Sequence, residues 1–313
     1  MPLDPRVRRI VNFINRLDRG RGIHFVDQRR ISANVASRLG GLVMPAGPKP
    51  ASTTDVAVRV DGGRIRVRIH RPHGPGPHPL HVFIHGGGWA IGTLDERDPR
   101  CRQIVAGADC VVASIEYRLA PENAYPTPVE DCYAALLWLV EHADEHGIDP
   151  SRISVGGESA GGNLSAVLCL LARDRSGPRI CHQWLDVPAV DLTKSQPSFR
   201  EVPDGYLLDA AVIDAYLDAY LLNPDQAKDP YASPLFADSH ADLPPAWIMS
   251  CEYDKLRDDG AAYATALREA GVQVHHEVLP GHVHPSFAFT RMVPSAADYE
   301  KRAIAALRKA LHP

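Results

Sequence analysis

Residues 155–164, VGGESAGGNL, place one serine among four glycines at the point where a strand pattern turns into a helix pattern. Residues 152–155 have the β-branched character of a short strand, and the apolar run at 164–171 favours a helix. A G-x-S-x-G pattern between a strand and a helix is typical of a nucleophile elbow, a tight turn that needs small neighbours. The helix N-terminus offers free N–H groups to an anion. We therefore predict a reactive Ser159 at the carboxyl end of a sheet.

A glycine-rich loop that binds phosphate is the alternative interpretation of this stretch. The chain holds 24 glycines in 313 residues, so a G-x-S-x-G match alone says little. The stretch lacks the lysine of a phosphate-binding P-loop, and its strand and helix context favours the elbow.

A second glycine cluster, His85-Gly86-Gly87-Gly88-Trp89, follows the apolar run at 80–84. Consecutive glycines let backbone N–H groups face a cavity with no side chain in the way. Such donors stabilise the oxyanion of a tetrahedral intermediate. The alternative is a surface turn, but a tryptophan directly after the glycines argues against it.

Strand and helix patterns alternate along the chain, which predicts a mostly parallel eight-stranded sheet with helices on both faces. The predicted strands are 55–60, 64–71, 80–84, 110–115, 153–155, 180–187, 246–250 and 273–279. The first two form a hairpin around Asp61-Gly62-Gly63. The predicted helices are 3–19, one starting at Asp98-Pro99, 127–142 behind a capping box at Thr127 and Glu130, one after Ser159, 258–270 and 295–311.

An insertion interrupts this alternation between the strand ending near residue 187 and the strand starting at residue 246. The roughly 58 residues between them exceed an ordinary crossover. They include a helical, apolar stretch at 204–222. We interpret the insertion as part of a cap, with the amphipathic helix at 3–19 as a candidate second piece.

A serine nucleophile needs a base and an acid that orients the base. In folds with a nucleophile elbow these residues follow along the chain in the order serine, acid, histidine. Asp254 lies at the carboxyl end of the strand at 246–250, after three intervening residues, and His282 and His284 come after the strand at 273–279. Position alone does not choose between the two histidines. A His-x-His pair can also ligate a metal, but no complementary cluster of ligands accompanies it.

Other titratable residues near these strands have structural interpretations. Asp258 and Asp259 are expected to be first-turn charges of the following helix. His275 and His276 lie within a predicted strand and are expected to be structural.

Composition narrows the setting of the protein. The formal net charge of −4 gives no broad attraction to nucleic acid or to an anionic membrane. No stretch approaches the roughly 18 apolar residues of a membrane span, and the N-terminus has no secretory pattern. The cysteines form no C-x-x-C pair and are expected to be mostly buried thiols, which favours a cytoplasmic location. They are Cys101, Cys110, Cys132, Cys169, Cys181 and Cys251.

Five motifs in order resemble the hormone-sensitive-lipase-like family of bacterial carboxylesterases, within the α/β-hydrolases. They are HGGGW (85–89), YRLAPENAYP (117–126), GESAGGNL (157–164), YDKLRDDG (253–260) and PGHVHPSF (280–287). The resemblance covers residues 80–290, and the N-terminal LDPRV is similar to the start of that family's cap. It implies an α/β-hydrolase fold with a helical cap.

The resemblance also assigns roles to individual residues. It implies Ser159 as the nucleophile, Asp254 as the acid and His284 as the base, because the family pattern G-x-x-H-x-x-F falls on residues 281–287. The implied oxyanion hole consists of the N–H groups of Gly87, Gly88 and Ala160.

By the same resemblance, residues 1–313 form one domain with a cap at about 1–45 and 192–222. The implied activity is hydrolysis of short- to medium-chain carboxylic esters, with no cofactor, metal or nucleic acid involved. A small-molecule ester is the expected partner, and a homodimer is left open.

Four residues depart from the family pattern, which more often has aspartate, proline, methionine and glycine there. They are Glu158, Lys255, His282 and Pro285. Two alternative functions remain beside the esterase. One is hydrolysis of acetylated small molecules, lactones or amides. The other is a non-catalytic ligand receptor, against which the presence of His284 argues, because plant hormone receptors resembling this family have lost that histidine.

Overall fold

The strands of the protein form one twisted sheet in the order β1-β2-β4-β3-β5-β6-β7-β8. The computed structural model describes residues 2–17, 25, 29 and 43–313. β1 and β2 pair antiparallel, as the hairpin prediction requires, and β2 is antiparallel to β4; all other pairs are parallel. The strands are β1 Ser52–Val60, β2 Gly63–Arg71, β3 His78–Ile84, β4 Val111–Glu116, β5 Ile148–Glu158, β6 Ile180–Asp186, β7 Ala246–Tyr253 and β8 Val274–Val283.

Helices cover both faces of this sheet. In the described part of the chain they are α1 Pro5–Leu17, α2 Leu94–Ala108, α3 Thr127–Glu141, α4 Ala143–His146, α5 Ala160–Asp174, α6 Ser198–Glu201, α7 Ala210–Tyr220, α8 Arg257–Glu269 and α9 Pro294–Leu311. Short 3₁₀ turns occur at Pro224–Lys228, Pro234–Phe236 and Ser286–Ala288.

The predicted caps of two helices are wrong, although the second helix does start at Thr127 as expected. α2 begins a turn earlier than expected, because the Thr93 side chain caps it by accepting from the Glu96 N–H at 3.3 Å. Pro99 therefore lies inside the helix, where its ring nitrogen has no hydrogen to donate. The capping box expected at Thr127 does not form: Pro126 is the N-cap residue of α3 and makes no side-chain cap.

The last two strands extend further than their sequence patterns indicate. β8 was expected to end at residue 279 but continues through Val283, because the β7–β8 pairing resumes after an irregularity and places Tyr253 opposite Val283. As a result, His282 lies in the strand itself, and the loop carrying His284 starts only after it. Asp254 follows directly at the end of β7.

The core lies on both faces of the sheet, and β3 is buried along its whole length. The cysteine prediction is confirmed: five of the six thiols are buried, and Cys181 is half-buried. None of the helices in the described ranges combines the length and the apolar character that a membrane span requires.

Three described helices lie within the two segments that are predicted to form a cap. α1 packs Val7 and Val11 against Val283 and Val293 beside the end of β8. α6 and α7 fall within the other predicted cap segment, at about 192–222. Most of residues 18–42 lie outside the described residues, so the cap boundaries stay a prediction.

Candidate active site

The turn at Ser159 is strained and leaves no room for larger neighbours. Ser159 has φ 55° and ψ −119°, a conformation that L-residues rarely adopt and that persists only when its surroundings hold it. Its N–H donates to the Asp186 carbonyl at 2.8 Å. A Cβ on Gly157 or Gly161 would lie 2.3 Å or 2.0 Å from the Ile84 carbonyl oxygen. The glycines are therefore needed because the elbow presses against β3.

Three successive residues of the loop after β3 have positive φ angles: Gly87, Gly88 and Trp89. His85 anchors its base, since the ring stacks on Tyr117 at 4.4 Å. A Cβ on Gly88 would lie 2.1 Å from the ring of Tyr216 in α7. Within the described residues, the N–H groups of Gly87 and Gly88 donate to no backbone carbonyl. Both glycines line the same cavity as Ser159 and Ala160.

The acid and base loops meet beside this cavity. His284 Nδ1 lies 2.8 Å from Asp254 Oδ2, and the carboxylate is fully buried. The other carboxylate oxygen accepts the Leu256 N–H at 2.9 Å, which fixes its orientation. His284 and Ser159 both line the cavity, although no hydrogen bond joins their side chains among the described residues.

His282 is oriented differently and has other partners. Its ring is buried, with Nδ1 2.9 Å from Ser286 Oγ and Nε2 2.8 Å from Ser295 Oγ. Burial lowers the pKa of this histidine. His282 is neither exposed nor part of the cavity lining, and Ser295 of α9 lies against its ring. The rings of His282 and His284 thus serve separate hydrogen-bond networks.

The aspartates at the start of α8 do more than balance the helix dipole. Asp259 is buried, and its Oδ2 accepts the N–H groups of Val190 and Asp191 at 3.0 Å each. Asp258 accepts the Ser198 N–H at 2.9 Å. Both residues lie in the first turn of α8 as predicted, and their carboxylates also tie the insertion after β6 to that helix.

The histidines predicted to be structural lie in β8 as expected. His275 stacks on Trp247 with 3.8 Å between ring centroids. His276 Nε2 lies 3.2 Å from Ser250 Oγ.

A second serine and histidine cluster lies in the middle of the sheet. Ser154 Oγ is 3.2 Å from His81 Nδ1 and 3.3 Å from His182 Nδ1. Burial lowers the pKa of His81 to about 3 and that of His182 to about 4. None of the three residues lines the cavity, and a general base works best with a pKa near the operating pH. This cluster is therefore not the catalytic site.

The cavity above Ser159 measures about 250 Å³. Its walls are mainly apolar and come from the loops around the elbow and from α7. The apolar wall residues are Trp89, Ile91, Val187, Ala189, Leu192, Leu207, Leu208, Val212, Ile213, Leu217, Leu256 and Phe287. Such a lining suits the uncharged, apolar part of a small substrate.

A cluster of buried charges behind the elbow has no signal in the sequence patterns. Arg100 donates to Glu300 at 2.9 and 3.0 Å and to Glu158 at 3.3 Å, and it also contacts Asp186. Arg97 pairs with Glu158 from the cavity side. The partners are 58 to 200 residues from Arg100 in the chain, so only the fold brings them together.

Burial affects the three carboxylates of this cluster unequally. It raises the pKa of Asp186 and of Glu300, although Arg100 works against it. Burial would also raise the pKa of Glu158, but Arg97 and Arg100 together outweigh it and hold that pKa below its ordinary value.

Comparisons with known proteins agree with this architecture. The model of a family described as having the α/β-hydrolase fold matches residues 81–288. Carboxylesterase NlhH of Mycobacterium tuberculosis is 47% identical over 237 residues, which span 75% of this chain and 74% of that protein. Carboxylic ester hydrolase LipN of the same species is 42% identical over 289 residues, spanning 90% and 77% of the two chains.

A solved structure shows the same likeness over nearly the full length. The hyperthermophilic esterase from the archaeon Pyrobaculum calidifontis superposes with a TM-score of 0.94 at 34% identity, covering 99% of both chains. The fold class predicted from the sequence is thereby confirmed.

Proposed function

Since the chain belongs to the α/β-hydrolase fold family, among its hormone-sensitive-lipase-like carboxylesterases, we propose that Ser159, His284 and Asp254 form its catalytic triad. The chain is a serine hydrolase that acts on carboxylic esters. The observation that carries the residue assignment is the 2.8 Å contact between His284 and a buried Asp254, at the rim of the cavity that holds the Ser159 elbow.

In the proposed mechanism, Ser159 Oγ attacks the ester carbonyl while His284 Nε2 takes its proton. Asp254 accepts from His284 Nδ1 and stabilises the imidazolium that forms. The N–H groups of Gly87, Gly88 and Ala160 stabilise the oxyanion of the tetrahedral intermediate.

Collapse of that intermediate gives the acyl-enzyme, and the leaving alcohol takes the proton from the imidazolium. Water, activated in turn by His284, then attacks the acyl-enzyme and releases the carboxylic acid. No step in this sequence uses a metal or cofactor.

We also propose that residues at about 1–45 and 192–222 cap the site and limit the substrate to short and medium chains. α7 contributes Val212, Ile213 and Tyr216 to the cavity wall, which supports a cap segment at about 192–222. The modest apolar cavity supports the size limit. A cytoplasmic location remains a prediction from composition.

A panel of p-nitrophenyl esters tests the substrate proposal. Each buried methylene contributes about 0.8 kcal/mol, so kcat/KM is expected to rise from acetate to butyrate or hexanoate and to fall once the cavity is full. Lactones and acetylated amines, tested in parallel, are expected to react more slowly. Faster turnover of emulsified long-chain triglycerides, with activation at the oil–water interface, would contradict this specificity.

A further inference from the structure

Lys255, the residue after Asp254, places a buried ammonium group under the insertion that follows β6. Its side chain is only 6% exposed. Nζ donates to the carbonyls of Val202 at 2.7 Å and Phe199 at 3.2 Å, and it pairs with Asp204 at 3.2 Å. An ammonium has three hydrogens to donate, so all of them have an acceptor within residues 199–204.

The link continues from Asp204 into the wall of the cavity. Asp204 Oδ1 accepts the N–H of Ala210, the first residue of α7, at 3.0 Å. The Gly205 N–H donates to Asp209 Oδ1 at 2.6 Å. These two bonds close residues 204–210 into a compact loop, which carries Leu207 and Leu208 into the lining of the cavity.

The other end of the link is fixed to the loop of the catalytic acid. Ser198 Oγ donates to the Lys255 carbonyl at 2.7 Å, and the Ser198 N–H donates to Asp258 at 2.9 Å. The Asp258 N–H in turn donates to Ser198 Oγ at 3.1 Å. The start of the insertion is thus held between the Asp254 loop and α8, with the Lys255 ammonium beneath it.

We propose that Lys255 is a positioning residue that sets how long an apolar chain the cavity accepts. It is not among the residues that line the cavity, so it acts through Asp204 and the loop that presents Leu207 and Leu208. This inference rests on the proposed esterase function. It concerns the wall of the site, whereas the chemistry depends on Ser159.

The test compares Lys255→Met with wild type on two ester series, p-nitrophenyl esters from acetate to decanoate and acetates of alcohols of increasing length. Without the Lys255 ammonium, the loop that presents Leu207 and Leu208 is no longer held in place, and the cavity wall recedes. We therefore expect kcat/KM for the preferred medium-chain ester to fall about tenfold in at least one of the two series, mainly because KM rises. For the shortest ester in the same series we expect less than about a threefold change, because it barely reaches the wall.

Two further variants keep the test decisive. Asp204→Asn retains an oxygen for the Ala210 N–H but removes the ion pair with Lys255. Because Asp204 is exposed, we expect this variant to fold and to show a smaller fall in kcat/KM for the medium-chain ester. Lys194→Met is the matched control, since Lys194 pairs with Asp214 on α7 but bonds to no carbonyl of residues 199–204. Its chain-length profile is expected to match that of wild type.

The outcomes separate this inference from the proposed function. If Lys255→Met and Asp204→Asn change all esters by one common factor, or leave both profiles unchanged, the inference is wrong even though the enzyme is an esterase. If Lys255→Met does not fold, a chain-length profile of Asp204→Asn that matches wild type is enough to overturn the inference. Failure of wild type to hydrolyse any ester would instead contradict the proposed function.

Discussion

Replacing His284 by alanine is expected to lower kcat for ester hydrolysis by roughly four to six orders of magnitude, the cost typical of losing a triad base. The reason is geometric. His284 contacts the buried Asp254 at 2.8 Å and shares the cavity with Ser159, so among the described histidines this ring is the one placed to take the serine proton beside an oriented carboxylate. KM for the same ester is expected to change far less.

His282→Ala is the matched control, two residues away in the same segment. It removes the contacts of the ring with Ser286 and Ser295, although the Ser286 hydroxyl still accepts the Val283 N–H at 3.0 Å. We expect a loss of about 1–3 kcal/mol of unfolding free energy, with kcat within about tenfold of wild type.

Kinetics on both variants, with circular dichroism to establish folding, decide between the histidines. A folded His284→Ala variant that keeps wild-type turnover, beside an inactive but folded His282→Ala variant, would show that the base is assigned two residues too late.

Replacing Arg100 by methionine is expected to destabilise the protein by about 3–5 kcal/mol at neutral pH, the cost of removing one partner from a buried ionic cluster. Arg100 is 1% exposed and is bonded to Glu158, Asp186 and Glu300. Methionine fills much of the same space but carries no charge. Of the three buried carboxylates, Glu158 keeps its ion pair with Arg97, whereas Asp186 and Glu300 lose the guanidinium that they share. The measurement is the free energy of unfolding by denaturant.

The pH dependence gives this prediction a second signature. Burial already raises the pKa of Asp186 and Glu300 in the folded protein, and loss of Arg100 raises both further. A carboxyl group with a higher pKa in the folded state binds its proton more readily there, so stability falls as the pH rises from the unfolded pKa to the folded one. The loss in the variant is therefore expected to be smaller near about pH 5 than near about pH 8.

Arg302→Met is the control for this experiment, because Arg302 forms a half-exposed ion pair with Glu277 at 2.7 Å. Exposed pairs contribute about 0–1 kcal/mol, so little change is expected. Equal stability of the Arg100 and Arg302 variants at neutral pH would mean that the buried cluster stabilises the protein no more than an exposed ion pair does.

The sequence predicts those features whose requirements are local. Gly157 and Gly161 signal the elbow because the close approach to β3 allows no side chain at either position. Strand ends, which sequence patterns locate within a few residues, place Ser159, Asp254 and a pair of histidines in the expected order. The choice of His284 over His282 needs the family resemblance.

Features that depend on distant segments escape such reasoning. The environment of His282 is set by Ser295 on the last helix, and the Arg100 cluster joins residues up to 200 positions apart. The start of α2 was misplaced for a different reason, since Asp98-Pro99 imitates a helix start while Thr93 provides the actual cap.

Covalent labelling of Ser159 tests the central assignment most directly. An organophosphate ester is expected to inactivate the protein with one adduct per chain, because a serine beside a base is strongly nucleophilic. Mass spectrometry of peptides is expected to locate that adduct on Ser159, and a Ser159→Ala variant is expected to carry none. Complete inactivation at one adduct per chain, with the adduct on any other residue, would contradict the account.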